Sequence, residues 1–111
     1  MEIGIDIEEV RRFKLPRKHA FISRIFTQKE LDYAFSRRNP EMHLCGMFCA
    51  KEAIIKSGLS GNFLMSEIEI LHKENGKPTA KLPKMKKNFY FKISISHAGK
   101  YAVACAVKNG R

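Results

Sequence analysis

Long apolar stretches are missing from this 111-residue sequence, whose longest apolar run is YAVACAV at residues 101–107. Such a run is too short to cross a bilayer, so we expect no membrane partner. The first residues, MEIGIDIEEV, carry acids where a secretory signal needs basic residues followed by an apolar stretch. The number of cysteines, three, is odd, so they cannot all pair within the chain. They lie in helix-like and strand-like patterns, which is typical of reduced, buried thiols. These absences favour a cytoplasmic protein.

Acidic residues are scarce: 11 Asp and Glu stand against 21 Lys and Arg, giving a formal net charge of +10. A favoured partner is therefore negatively charged, for example nucleic acid, an anionic membrane surface, a phosphorylated small molecule or an acidic protein. The sequence also contains no repeat, low-complexity tract or linker. Its apolar content of 44% supports one hydrophobic core, so we expect residues 1–111 to form a single domain.

The amino-terminal residues have the alternating pattern of a β-strand. Over residues 2–7, the isoleucines Ile3, Ile5 and Ile7 fall on one face, which we expect to be the buried one, and Asp6 falls on the other. The basic segment that follows, residues 10–23, is divided by Pro16 into two short helical pieces.

Two longer helices are predicted next. Thr27 and Glu30 form a capping box, which predicts a helix that continues to about residue 36. Asn39 is expected to cap the longest helix, which begins at Pro40, continues to about residue 57 and stops at Gly58.

Four strands in two antiparallel hairpins complete the pattern. SEIEILHK (66–73) and TAKL (79–82) flank Asn75-Gly76, a strong signal for a tight turn. FYFKISIS (89–96) and YAVACAV (101–107) flank the turn HAGK. A strand, then helices, then hairpins predict an α+β fold, and the fold alone does not define a function.

Glu52 is predicted to fall inside the apolar arc of the longest helix. On a wheel of about 100° per residue with Leu44 at zero, Phe48 lies at about 40° and Glu52 at about 80°. A carboxylate buried there is costly unless it meets a cation or a metal. Lys56 lies on the same side one turn later, whereas Lys51, at about 340°, only borders the arc.

Two simpler interpretations remain open at this point. Glu52 and Lys56 could form an ordinary surface pair, worth only about 0.3–0.5 kcal/mol. Asp6 could cap the helical segment after its strand. If instead Asp6 and Glu52 face each other, they suit Mg²⁺, which takes one or two carboxylates and completes its shell with water and phosphate oxygens.

Four motifs in order resemble those of the holo-[acyl-carrier-protein] synthases, the small bacterial branch of the 4'-phosphopantetheinyl transferases. They are GIDIEEVRRF, FTQKELDYA, FCAKEAIIKS and ISISHAGKYAVA, and the resemblance covers essentially the whole chain, including the NGKP hairpin. The resemblance implies a Mg²⁺-dependent transfer of phosphopantetheine from coenzyme A to a serine of an acyl carrier protein, in fatty acid biosynthesis. The second product would be adenosine 3',5'-bisphosphate.

Roles for individual residues follow from the resemblance. Asp6 and Glu52 would be the metal ligands, and Lys56 would neutralise charge around the transferred phosphoryl group. Ser96 and His97 would contact the phosphates of coenzyme A. No side-chain general base is assigned, because a metal-bound water near Glu52 could take the serine proton as readily as any residue. Adjacent residues on a strand point to opposite faces, so Ser96 and His97 are not expected to form a nucleophile and base pair.

The resemblance also implies partners. Family members dock an acidic carrier protein through basic residues near the first helix, which here gives Arg12, Arg17 and Arg24. They also assemble as homotrimers, with active sites at the subunit interfaces. Two positions depart from the family pattern: Met47 stands where an arginine is common, and Ala98 where a hydroxyl-bearing residue is common.

A small nucleic-acid-binding module is the main alternative. It is suggested by the net charge and by basic residues interleaved with four aromatic ones, Phe13, Phe21, Tyr90 and Phe91. It leaves Asp6 and Glu52 unexplained. A purely structural subunit would leave both these acids and the net charge unexplained.

Overall fold

The α+β prediction is confirmed by the computed structural model, which describes residues 1–59, 61–85 and 89–110. Strand β1 is followed by a 3₁₀ turn, three helices, a second 3₁₀ turn and four further strands. In chain order these are β1 (Glu2–Glu9), the Val10–Phe13 turn, α1 (Ala20–Ile25), α2 (Gln28–Phe35), α3 (Pro40–Lys56), the Met65–Glu67 turn, β2 (Glu69–His72), β3 (Pro78–Lys81), β4 (Phe89–Ala98) and β5 (Tyr101–Gly110).

The strands form two antiparallel groups. One is a three-stranded sheet in the order β1-β5-β4, and the other is the β2-β3 hairpin. Both predicted hairpins are confirmed. Within the larger sheet, Ala104 of β5 lies between Asp6 of β1 and Ile95 of β4. The first strand is thus held at the edge of a sheet whose other two strands come from the end of the chain.

The buried face of β1 is not the one that the isoleucines predict. Gly4 is buried and Asp6 is turned toward α3, whereas Ile3, Ile5 and Ile7 are between 60 and 68% exposed. The cause is close packing of α3, since a Cβ on Gly4 would lie 2.0 Å from the carbonyl oxygen of Ala53. Asp6 and the isoleucines do lie on opposite faces, as predicted, but the isoleucines are not covered within one chain.

The predicted helix boundaries are accurate, although one cap differs. Thr27 Oγ1 accepts from the Glu30 N–H at 3.3 Å, and Glu30 Oε1 accepts from the Thr27 N–H at 2.8 Å, which completes the capping box. Asn39 stands at the N-cap of α3, but its backbone is left-handed (φ 54°) and its side chain makes no capping hydrogen bond. Gly58, with φ 99°, follows the end of α3.

The predicted apolar arc of α3 is right only in part: Leu44, at its origin, is fully buried, but the buried surface of the helix extends well beyond the arc. The helix packs against the sheet on one side and against α2 and β2 on the other, so it is buried around most of its circumference. Its buried positions include Met47, Lys51 and Ile54, whereas Phe48 is only half-buried and Ile55 is exposed. The wheel gave weight to large apolar side chains, but close packing with neighbours favours the faces that carry alanine and glycine.

Candidate active site on the first strand and the central helix

Three predicted site residues lie where β1 passes the C-terminal half of α3. The Lys56 ammonium lies 3.1 Å from Asp6 Oδ1 and donates also to the Ile5 carbonyl oxygen at 3.2 Å. The pKa of Lys56 is raised chiefly by its hydrogen bond to Asp6 and by the Asp6 charge, with Glu52 contributing as a further negative charge. In the described structure the ion pair of Lys56 is therefore with Asp6 rather than with Glu52.

The two carboxylate oxygens of Asp6 have different surroundings. Its side chain is only 11% exposed. One carboxylate oxygen contacts Lys56, while the other, Oδ2, is buried with no N–H or O–H donor in the described part of the chain; its weak neighbour is the Cys49 thiol, whose pKa is raised chiefly by Cys45 and in part by Asp6. A buried carboxylate oxygen without a donor is unfavourable, and such atoms in native structures usually have a functional or ligand-related explanation. Asp6 lies within β1, so the capping interpretation is wrong.

Glu52 is half-buried on α3. The expectation that it is a deeply buried carboxylate in need of a counter-ion is therefore wrong. Its partial exposure has a different consequence, because a ligand arriving from solvent can reach it. Its negative charge adds to the larger effect of Asp6 in raising the pKa of Lys56, one turn later on the helix.

A divalent cation fits this arrangement. Within residues 1–59, 61–85 and 89–110, no group of three or more histidine, cysteine, aspartate or glutamate side chains could hold a metal ion. Asp6 and Glu52 provide at most two carboxylates, and Asp6 Oδ2 lacks an N–H or O–H donor among these residues. Mg²⁺ needs few protein ligands of this kind when phosphate oxygens and water complete its shell.

Ser96 and His97 lie near the end of β4 and point to opposite faces of the sheet. Ser96 pairs with Val103 and is exposed, on the same face as Ile7. His97 faces α3, where its Nε2 lies 3.0 Å from the carbonyl oxygen of Met42. A hydrogen-bonded Ser96–His97 pair is not formed, in agreement with the prediction.

His97 lines a cavity of about 170 Å³ together with Tyr33, His43 and His72, which are not among the predicted site residues. Tyr33 stacks on His72 with ring centroids 3.8 Å apart, and the Arg37 guanidinium lies 3.7 Å from the Tyr33 centroid. Burial lowers the pKa of His72 to about 4, assisted by the charges of Arg37 and His43. These residues come from separate elements, so no local pattern could have identified them.

The two groups of predicted coenzyme A contacts are separated within one chain. His97 contacts Met42 near the start of α3, whereas Lys56 ends that helix. At about 1.5 Å per residue, Met42 and Lys56 lie about 21 Å apart along the helix axis. Lys56 contacts Asp6 and His97 contacts Met42, so the two side chains share no partner among the described residues of one chain.

A second charged pair, Lys51 and Glu30, lies in the core of the protein. Both side chains are fully buried, and the Lys51 ammonium lies 2.7 Å from Glu30 Oε1. Lys51 also donates to the carbonyl oxygens of Ile25 at 2.7 Å and Met65 at 2.8 Å. Burial raises the pKa of Glu30 and lowers that of Lys51, and the opposite charge of each partner resists the change.

The three arginines predicted to dock a carrier protein differ in their partners. Arg12 forms an ion pair with Glu8, and Arg17 lies 2.6 Å from Asp32. Arg24 is exposed in the last turn of α1 and forms no ion pair with the described residues. The two positions that depart from the family pattern lie apart, with Met47 in the core and Ala98 exposed at the end of β4.

The sequence and the α+β fold match a known class of transferase. The model of the 4'-phosphopantetheinyl transferase superfamily matches residues 2–106, and the chain belongs to this superfamily. Within it, the chain is similar to the holo-[acyl-carrier-protein] synthases of Thermoanaerobacter pseudethanolicus and Caldicellulosiruptor saccharolyticus. The first is 41% identical over 97% of this chain and 86% of the relative, and the second is 42% identical over 95% and 93%.

Solved structures give the same result. A holo-(acyl-carrier-protein) synthase from Bacillus anthracis in complex with CoA has a TM-score of 0.83 at 30% identity, covering 99% of this chain and 96% of the other. A Helicobacter pylori synthase in complex with coenzyme A has a TM-score of 0.80 at 26% identity, covering 96% and 99%. None of the described helices is long and apolar enough to cross a membrane.

Proposed function

We propose that the protein transfers the 4'-phosphopantetheine group of coenzyme A to a serine of apo acyl carrier protein, in fatty acid biosynthesis. The products are holo acyl carrier protein and adenosine 3',5'-bisphosphate. The observation that carries the proposal is near full-length similarity to proteins of this name, with Lys56 in contact with Asp6 and within reach of the Glu52 charge. The coenzyme A bound in two of the similar structures supports the choice of donor.

Asp6 and Glu52 would hold Mg²⁺, which makes the proposed transfer metal-dependent. When bound, the ion supplies positive charge that offsets the charge on the phosphate oxygens. The Lys56 ammonium would lie against the transferred phosphoryl group and the leaving phosphate, and its raised pKa keeps it charged at neutral pH. In the transfer the serine oxygen bonds to phosphorus, the bond from phosphorus to the oxygen of the leaving adenosine bisphosphate breaks, and the serine proton passes to water. Catalysis of this kind depends on positioning and charge neutralisation.

The protein is proposed to act as a homotrimer, with Ser96 and His97 of one chain contacting coenzyme A held by Lys56 of its neighbour. The support is a large uncovered apolar face, since the three exposed isoleucines of β1 lie opposite Val107, Cys105 and Val103 of β5. Soluble proteins seldom leave such a patch without a partner. The separation of Lys56 from His97 in one chain supports the same arrangement.

The acidic carrier protein would dock near α1, where Arg12, Arg17 and Arg24 provide positive charge. The cytoplasm is the proposed location, because the three cysteines are unpaired, as expected in a reducing compartment. The nucleic-acid alternative is not supported. Phe13, one of the aromatic residues that suggested it, is fully buried and cannot stack on a base.

The proposal is tested by incubating the protein with coenzyme A, Mg²⁺ and an apo acyl carrier protein, followed by mass spectrometry of the intact carrier. We expect the carrier to gain the mass of one phosphopantetheinyl group, with adenosine 3',5'-bisphosphate released in equal amount. A carrier with alanine in place of its acceptor serine is the matched control and should gain no mass.

No added mass with any divalent metal, together with tight, salt-sensitive binding of RNA or DNA, would contradict the enzyme proposal and revive the alternative. The trimer has its own test in light scattering. The wild type should have three times the mass of one chain, and Ile5→Asp should dissociate it; a monomeric wild type would contradict this arrangement.

A further inference from the structure

The Lys51 ammonium is fully used within the protein. It donates to Glu30 Oε1, to the Ile25 carbonyl oxygen and to the Met65 carbonyl oxygen, all at 2.7–2.8 Å. An ammonium has three N–H groups, so none is left for a substrate. Its side chain is also fully buried, which excludes direct contact with coenzyme A or a carrier protein.

These bonds join four parts of the chain. Ile25 ends α1, the helix that carries Arg24, and Met65 begins the turn that follows residues 57–64. Glu30 belongs to α2 and accepts in addition from the Ile70 N–H of β2 at 2.7 Å. Lys51 lies on α3 immediately before Glu52. The pair therefore fixes α3 against α1 and against both α2 and β2.

Stability alone is a weak explanation for such a pair. Moving two charges into a core is costly, and replacing a buried ion pair by apolar side chains is often neutral or stabilising. What the pair provides is a defined position, because three short hydrogen bonds from one atom leave little freedom in how α3 sits against its neighbours.

We propose that Lys51 is a positioning residue for the transfer reaction: by bonding the end of α1 and the start of the Met65 turn, it fixes the arginine-bearing helix relative to Glu52 and Lys56. This inference rests on the proposed function. The carrier serine must meet the phosphoryl group at a defined distance, and a misplacement of about 1 Å can lower the rate about a hundredfold. Lys51 sets that distance without touching either substrate.

The test compares Glu30→Gln with the double variant Glu30→Gln/Lys51→Met. Both lack the buried carboxylate, but only the first keeps the Lys51 bonds to the two carbonyl oxygens. We expect Glu30→Gln to retain kcat within a few-fold, and the double variant to lose about tenfold to a hundredfold in kcat. The KM for coenzyme A should remain unchanged in both. Measurements are made where circular dichroism shows each variant to be folded.

If Lys51 served only to stabilise the fold, kcat would rise and fall with the free energy of unfolding of each variant. Lys51→Met alone leaves a buried carboxylate unpaired, so the double variant should be more stable than this single variant. We expect kcat to stay low in spite of the recovered stability. Ile54→Val is the matched control: it weakens packing on the same helix, leaves the hydrogen bonds intact and should keep wild-type kcat.

Hydrogen exchange gives a readout that does not depend on activity. Peptides that cover residues 20–27 and 61–66 should exchange at least about tenfold faster in the double variant than in Ile54→Val, since each loses its bond to Lys51. Wild-type kcat in the folded double variant, or unchanged exchange in both segments, would overturn the role of Lys51. A wild type that transfers no phosphopantetheine would instead overturn the proposed function.

Discussion

The Lys51–Glu30 pair and the Asp6–Glu52–Lys56 group both involve α3, yet their surroundings differ. In the first, both side chains are fully buried and each charged atom has partners inside the chain. In the second, Lys56 is 54% exposed, and Asp6 Oδ2 is buried without an N–H or O–H donor in the described chain. The Lys51–Glu30 pair therefore needs no ligand to satisfy its charged atoms. The second has the features of a site that a ligand completes.

The comparison separates two roles that look alike in the sequence. Lys51, Glu52 and Lys56 lie in one short motif, and any of them could be structural or catalytic. Burial and partners distinguish them, because a satisfied buried charge resists change whereas an unsatisfied, partly exposed one can bind a ligand.

The largest expected effect is on stability. Lys51→Met should lower the free energy of unfolding by about 3–5 kcal/mol, because it leaves the Glu30 carboxylate buried without its cation. Lys56→Met should cost clearly less, because its side chain is 54% exposed, although the largely buried Asp6 carboxylate loses its ion-pair partner. Urea denaturation of both variants measures the difference. Equal losses would show that the two lysines have similar structural roles.

Glu52→Gln should abolish most turnover while the fold is retained. The change keeps the shape of the side chain and removes one ligand charge, and a loss of about 10²–10³-fold in kcat is expected from the weaker charge stabilisation. Initial rates over a range of Mg²⁺ concentrations provide the measurement. Near-normal activity at low Mg²⁺ would exclude Glu52 from the metal site.

The His72 cavity should make stability depend on pH. The pKa of His72 is lowered from 6.5 to about 4, so below pH 6.5 the unfolded chain takes up a proton before the folded one does. The free energy of unfolding should therefore fall between about pH 6.5 and 4, with no contribution above that range. His72→Phe, which keeps a ring beside Tyr33, should flatten this part of the profile. An unchanged profile in the variant would assign the titration to another group.

The smallest effects concern carrier docking. Arg24→Ala should raise the KM for the carrier by about two- to fivefold and reduce its salt dependence, since exposed charge pairs contribute little each. Its KM for coenzyme A should not change. Arg12→Ala and Arg17→Ala should act in the same direction but also lose their pairs with Glu8 and Asp32. Unchanged carrier kinetics in all three would refute this docking surface.

Local signals in the sequence predicted much of the fold. Thr27 and Glu30 form their capping box, Gly58 follows α3, and Asn75-Gly76 turns the first hairpin. Each of these depends on a few neighbouring residues, which is why the sequence alone was sufficient. The motif resemblance was likewise confirmed by relatives that span nearly the whole chain.

Features that depend on packing between elements were predicted less well. The isoleucines of β1 have the pattern of a buried face, but Gly4 admits α3 to the other one. The buried position of Lys51 depends on Ile25, Glu30 and Met65, which no spacing within α3 indicates. The helical wheel placed Glu52 in a buried arc because a wheel contains no information about the neighbouring elements. The role of Glu52 in the site remains a prediction.

The most direct test of the account is the metal dependence of phosphopantetheine transfer. Protein stripped of metal with EDTA and dialysed should transfer nothing to the carrier, and added Mg²⁺ should restore transfer in the wild type but not in Asp6→Asn or Glu52→Gln. Full transfer by the stripped protein, or restoration in both variants at the wild-type Mg²⁺ concentration, would contradict the claim that these two carboxylates form a site completed by a cation.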